Sequence, residues 1–336
     1  MLVATRKGLL RFDADLELEA ADFQGIPVSR AVEVQGEVFA ALDHGHWGQK
    51  LHRLRGEEWT ELEAPKFPEG IEASVDYLWE IADGRVPGRL WIGTNPGALF
   101  RSDDAGDTWV LCQSLWDHPS RGDWFGGGRD TPGIHSICVD PRDPERIWVG
   151  ISCGGVFEST DGGASWEVRT EGLMADFLPD PSAAIGQDPH RVLQSEADPD
   201  VFWQQNHCGI WRSGDACRSW HEVSEAFGFG LAIHPEDADT AWFVPAISDE
   251  ERRAVDGAMC VRVTRDGGRS FEELREGLPQ ALCYDLVYRH ALAIRGRTLA
   301  IGSTTGNLWI SQEEGATWRA LCHHLPPIYS VDFRRR

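Results

Sequence analysis

Positive charge is scarce in this chain: 32 lysines and arginines face 54 aspartates and glutamates, giving a net charge of −22. So acidic a chain repels phosphate backbones, which argues against nucleic acid as a partner. It has no run of 18 or more apolar residues, so no membrane-spanning helix is expected. The first residues, Met1 to Gly8, lack the long apolar centre of a secretory signal, and a soluble, cytoplasmic protein is expected. The eight cysteines never fall at a CxxC spacing and are few for a secreted chain of this size. Reduced, mostly buried thiols are therefore expected. The HExxH zinc signature is also missing, and only four tyrosines and three methionines occur.

What the chain has in excess is glycine, 36 residues, and tryptophan, 15 residues. An internal repeat accounts for most of both. The octapeptide Ser102 to Trp109 recurs as Ser159 to Trp166, with the pattern S-x-D-x-G-x-T/S-W. Weaker copies run from Ser213 to Trp220, with Cys217 in place of glycine, from Thr264 to Phe271, and from Ser311 to Trp318, with Glu313 in place of aspartate. An eroded copy ends at Trp59. Successive starts lie 57, 54, 51 and 47 residues apart, the length of one four-stranded propeller blade.

Each octapeptide follows two short β-type runs joined by a small turn. Seven such pairs occur, near 1–13, 38–53, 90–102, 147–159, 202–213, 241–264 and 299–311, and 336 residues divided by seven gives 48 per blade. The pair at 1–13 has no inner strand before it. The segment Ile328 to Phe333 reads like the inner strand Ile134 to Val139 and would supply it. The expected fold is all-β: a single seven-bladed β-propeller over residues 1–336, its last blade closed by N- and C-terminal strands, which removes open sheet edges.

The octapeptides at 102–109 and 159–166 resemble the Asp-box, or BNR repeat, of sialidase-like propellers. The layout, including Ala41 to Gly48 and Gln205 to Gly209, is similar to bacterial propellers described as glycosyl-hydrolase-like or photosystem II stability-factor-like. The resemblance implies that the boxes lie between third and fourth strands, on the face opposite the usual active site. Asp104 and Asp161 then serve the turn, glycine supplies positive φ, and the closing tryptophan packs between blades.

Removing these scaffold residues leaves Trp47, Trp116 and Trp124 in loops of the other face, as candidate stacking groups for a ligand. Aligning the inner strands on His135 brings Tyr329, Arg30, Tyr77, His135, His190, Phe229 and His290 to one ring at the channel mouth. Turns between second and third strands add Asp43, His44, His46, Asn206 and His207. The histidines at 44, 46, 135, 190, 207 and 290 are candidate ligands for a divalent transition metal (zinc, iron or copper) or candidate acid–base groups. His135, His190, Asp43 and Glu80 are the candidate catalytic residues; Arg30, Tyr77, Trp47, Trp116, Arg121, Trp124 and Asn206 are candidate substrate contacts. Two long connections, 112–132 and 172–189, are expected to be lids, and a third insertion, 248–257, a solvated excursion.

Sialidase chemistry is disfavoured. That resemblance requires an Arg-Ile-Pro signature and three arginines on a carboxylate, whereas Thr5-Arg6-Lys7-Gly8 stands near the start and no such triad is apparent. Two expectations remain. One is a hydrolase- or lyase-like enzyme acting on a small polar or carbohydrate-like ligand; the other is a non-catalytic platform that holds a protein partner, as photosystem assembly-factor propellers do.

Overall fold

The computed structural model describes residues 1–334. It forms seven four-stranded antiparallel sheets arranged as a β-propeller. The inner strands are Val28–Val34, Tyr77–Asp83, Ile134–Val139, Pro189–Gln194, Gly228–Ile233, Leu292–Arg295 and Ile328–Asp332. Each packs against the next, and Ile328–Asp332 against Val28–Val34, so the ring closes. Closure uses both chain ends as expected: the N-terminal strand Leu2–Thr5 pairs with Ile328–Asp332, Val3 opposite Val331 and Ala4 opposite Ser330.

Tryptophan holds neighbouring blades together. Trp91, Trp148, Trp203 and Trp242 are each the second residue of the second strand in four consecutive blades, and each is fully buried. An indole buries roughly 150–250 Å², on the order of 4–6 kcal/mol of transfer free energy. The repeated octapeptides form turns between third and fourth strands. In one of them, Ser159 Oγ donates to Asp161 Oδ1 at 2.8 Å and accepts from Gly163 N–H at 2.8 Å. Asp161 also accepts from Ser165 N–H at 2.9 Å and from Ser165 Oγ at 2.6 Å. The same bonds recur around Asp104, Asp215 and Asp266. Glu313, one methylene longer, retains only the hydroxyl bond from Thr317 at 3.2 Å. Cys217 occupies the glycine position at φ +65°, a left-handed conformation its Cβ disfavours.

Asp161→Ala is expected to cost about 1 kcal/mol, because it frees turn amides that water then satisfies in part. Urea unfolding checks it; an unchanged midpoint would contradict the structural role.

All eight cysteines are free thiols, five of them buried. No helix among the described residues is long and apolar enough to cross a membrane.

Candidate functional site

A cavity of about 740 Å³ opens where the inner strands begin and the turns between second and third strands project. The octapeptide turns stand at the opposite ends of the strands. What shapes the cavity is a β-bulge near the start of the inner strands. In six of the seven, one residue is skipped by the ladder: Tyr329, Ser29, Trp79, His135, His190 and Phe229. A bulge re-aims its side chain. Five of the six line the cavity, with His290 from the seventh blade.

This register corrects the sequence alignment at two blades. Ser29, not Arg30, and Trp79, not Tyr77, take the ring positions. Arg30 turns inward below the cavity, where its Nε donates to Glu80 Oε1 at 2.8 Å. Glu80 Oε2 receives Arg191 and lies 3.0 Å from His290 Nε2, which is also 2.9 Å from the His135 carbonyl oxygen. Burial alone would raise the Glu80 pKa; Arg30, His290 and Arg191 hold it well below the usual carboxylate range. Burial lowers His290 to about 4, so it is a neutral donor. Glu80 is thus a buried ionic hub beneath the cavity and not among its lining residues. His135 is fully buried, its Nε2 has no partner among the described residues, and it too is absent from the lining.

The wall carries another constellation. Asp188, immediately before the inner strand, lies with Oδ2 3.4 Å from His190 Nε2 and 3.6 Å from His207 Nδ1. One potential ligand atom from each of the three residues lies within 4.8 Å of the other two. Asp188 Oδ1 also accepts from the Cys153 N–H at 3.0 Å. Burial alone would raise the Asp188 pKa, but His190, Arg289 and the Cys153 amide hold it well below the usual range. Burial lowers the His190 pKa against the pull of Asp188, leaving the ring neutral near pH 7. His190 Nδ1 stands 2.7 Å from the Gly228 carbonyl oxygen, so that nitrogen carries the proton and donates. Nε2 is then the nitrogen that faces Asp188 and is available to a ligand. An imidazole oriented by a backbone carbonyl is the arrangement metal-ligating histidines use, and these donors suit zinc, iron or copper.

Of the six candidate histidine ligands, only His190 and His207 come together, and Asp188 joins them. The i, i+2 spacing that made His44 and His46 a candidate pair applies to extended chain only. There the strand ends at His44, and Gly45 to Trp47 form the hairpin turn, with the Trp47 N–H on the His44 carbonyl at 2.9 Å. The informative pair with the same spacing was Asp188 and His190, signalled by Pro189 opening a strand.

Trp47 is 69% exposed and outside the lining. Trp116 and Trp124 instead sandwich Arg121, whose guanidinium carbon lies 3.6 and 5.3 Å from their centroids. Trp124 is buried against Phe157, so this cluster anchors the 112–132 connection. Asn206 is buried in its hairpin turn, bound to Gln204 at 2.7 Å. Asp43 and Tyr77 do line the cavity, Asp43 accepting from Gln49 at 2.8 Å.

The 248–257 insertion is part of the site rather than a solvated excursion. Asp249, Glu250 and Arg252 line the cavity with Gly126, Gly127 and Gly128 of the first connection and Phe177 of the second. Gly127 approaches the wall closely: a Cβ there would stand 3.0 Å from Cys153 Sγ and 3.1 Å from Asp188 Oδ1, so those side chains would have to give way. Arg129, Arg252 and Arg289 also line the cavity, together with three of the chain's four tyrosines, Tyr77, Tyr288 and Tyr329. Sequence reasoning missed the arginines because two sit on insertions outside the repeat and the third immediately precedes the ring position of His290.

No protein-family model matches the chain. It is 25% identical over 258 residues to a Neosartorya fischeri protein described as "Probable oligoxyloglucan-reducing end-specific xyloglucanase", covering 66% of this chain and 30% of that one. It is 24% identical over 210 residues to the xyloglucanase Xgh74A of Acetivibrio thermocellus, covering 54% and 23%. The chain thus spans less than a third of the length of these curated relatives. Among solved structures, an ancestral GH74 enzyme superposes with a TM-score of 0.60 at 14% identity, over 87% of this chain and 38% of that one. A YCF48 protein bound to D1 peptide superposes with a TM-score of 0.54 at 12% identity, over 95% and 82%. The chain is a seven-bladed propeller similar to GH74 xyloglucanase and YCF48 propellers.

Proposed function

We propose that this chain is a BNR/Asp-box propeller enzyme of hydrolase or lyase type. Its cavity holds a small polar or sugar-derived substrate beside a divalent transition metal bound by Asp188, His190 and His207. The observation that carries the reading is the convergence of Asp188 Oδ2, His190 Nε2 and His207 Nδ1 in one wall, the two nitrogens 3.4 and 3.6 Å from the carboxylate oxygen. With Nδ1 donating to the Gly228 carbonyl, Nε2 is the nitrogen a cation beside Asp188 would take. When bound, the metal supplies Lewis-acid polarisation of a substrate oxygen. The Gly228 carbonyl orients His190, the Cys153 amide orients Asp188, and Phe177, 5.0 Å from the His207 ring, covers the outer ligand. Trp79 and the three tyrosines offer faces for a sugar ring. Similarity to xyloglucanases supports a carbohydrate-like substrate.

The test is metal analysis of protein purified without a histidine tag, with zinc titration and a panel of chromogenic glycosides and xyloglucan oligosaccharides. Stoichiometric metal and turnover, both lost in His207→Ala, support the reading; a chain that takes up no metal and turns over nothing sinks it.

A protein-binding platform is the second reading. Trp47, Leu282 and Tyr284, exposed by 69%, 87% and 66%, favour it, as does the likeness to a propeller that binds a peptide. Loss of partner capture on Trp47→Ala and Tyr284→Ala, with an inert cavity, would decide for it.

A further inference from the structure

In a chain of net charge −22, the cavity contains three arginines, and two of them, Arg129 and Arg289, form no close ion pair among the described residues, Arg289 meeting Asp188 only through its longer-range field. Asp249 is engaged by Arg252, Asp43 by Gln49, and Asp188 by the Cys153 amide, two histidines and the field of Arg289. Glu250 stands on the exposed rim. Arg289 instead lies between aromatic rings, its guanidinium carbon 5.3 Å from the Trp79 centroid and 5.2 Å from the Phe229 centroid. Its Nε is buried without a hydrogen-bond acceptor. Arg129 sits 4.1 Å over the Tyr77 ring and 5.3 Å from Trp79, so both cations flank one indole. Aromatic faces hold a guanidinium in place without consuming its donors, and a desolvated cation with no carboxylate on its donors favours an incoming oxyanion.

We infer that the cavity recognises a ligand bearing an oxyanion, a carboxylate or a phosphate, gripped by Arg289 with Arg129 closing from the lid. This deepens the proposed function by naming the substrate class, but it rests on the arginines rather than on the metal. The neutral part of the ligand faces Trp79 and the tyrosines, and its charged group faces the guanidinium fork. Charge-assisted, bidentate bonds of this kind discriminate against a neutral analogue by about tenfold or more.

Three probes test it at constant ionic strength: glucuronate, glucose 6-phosphate and glucose. Binding is followed by the Arg289 Nε–Hε NMR resonance, assigned by its disappearance in Arg289→Met, and by calorimetry. The expected result is saturable binding of at least one anionic sugar about tenfold tighter than glucose, with the tighter one identifying carboxylate or phosphate as the preferred group. Arg289→Met abolishes the preference. Arg129→Met, on an exposed segment where folding is not at stake, weakens it several-fold. The titrations are run on chelator-treated and zinc-loaded protein. A preference that persists without metal keeps this inference even if the metal reading fails. Equal affinity for all three probes, no saturable shift up to tens of millimolar, or a preference untouched by both arginine variants overturns it.

Discussion

Glu80→Gln is expected to lower the unfolding free energy by about 3–5 kcal/mol, the range for removing one partner from a buried ion pair. Glu80 takes both Arg30 and Arg191 beneath the cavity, Arg30 having a second, longer contact to Asp332 at 3.4 Å. Glutamine keeps the shape and an acceptor but leaves Arg191 without its counter-charge. Guanidinium unfolding followed by tryptophan fluorescence measures the loss. Removing the cations as well, in Arg30→Met/Arg191→Met/Glu80→Gln, should recover part of it, because an apolar plug carries no unpaired charge. A shift of less than about 1 kcal/mol for the single variant would refute the assignment of Glu80 as a structural hub.

The same cluster sets an acid limit. His290 has a folded pKa lowered from 6.5 to about 4. The unfolded chain therefore binds a proton that the folded chain refuses, so stability present above pH 6.5 is lost as pH falls toward 4. His135 and His190, both lowered by burial, act in the same direction. Glu80, with Arg30, Arg191 and His290 facing it, adds its own loss below the ordinary glutamate range. Unfolding free energy should thus fall steadily below pH 6.5, by a few kcal/mol in all. A flat profile down to pH 5 would contradict it.

The second large effect is at the cavity wall. Asp188→Ala removes the group that both His190 and His207 approach, and it should lower zinc affinity by roughly 100-fold or more, since even outer-shell partners of metal ligands are worth 10–100-fold. Asp188→Asn keeps the volume and the bond from the Cys153 amide, so it separates loss of charge from collapse of the turn. Asp188→Asn should unfold nearer the wild-type midpoint in the metal-free state and Asp188→Ala below it, by about 1–3 kcal/mol for the freed Cys153 amide, while zinc should raise the midpoint of the wild type more than that of either variant, because a ligand that binds only the folded state stabilises it. If zinc raises the midpoint of all three proteins equally, the metal lies elsewhere or is absent.

Much of the fold was legible in the chain. The octapeptide repeat gave the blade period, and its hydrogen bonds are local, all within four residues, so the same letters produce the same turn wherever they occur. The likeness of Ile328 to Phe333 to an inner strand announced the closure, because period-two burial is written in the residues themselves. The open face could be located from the register alone, and Asp43, Tyr77, His190, His207 and His290, expected on that face, line its cavity.

Beyond that, tertiary structure decided. A bulge shifts a strand by one residue and exchanges what faces the cavity for what faces the channel; nothing in the letters around Arg30 or Trp79 records the shift. Arg30, a candidate substrate contact, and Glu80, a candidate catalytic residue, are instead joined in a buried salt bridge. Long connections fold by packing on whatever lies beneath them, so Arg121 closed between two tryptophans while the 248–257 insertion turned inward to the cavity. The scarcity of positive charge and of tyrosine also changes meaning in three dimensions. Composition counts residues without position, and the fold gathers three of the four tyrosines and three arginines around one cavity.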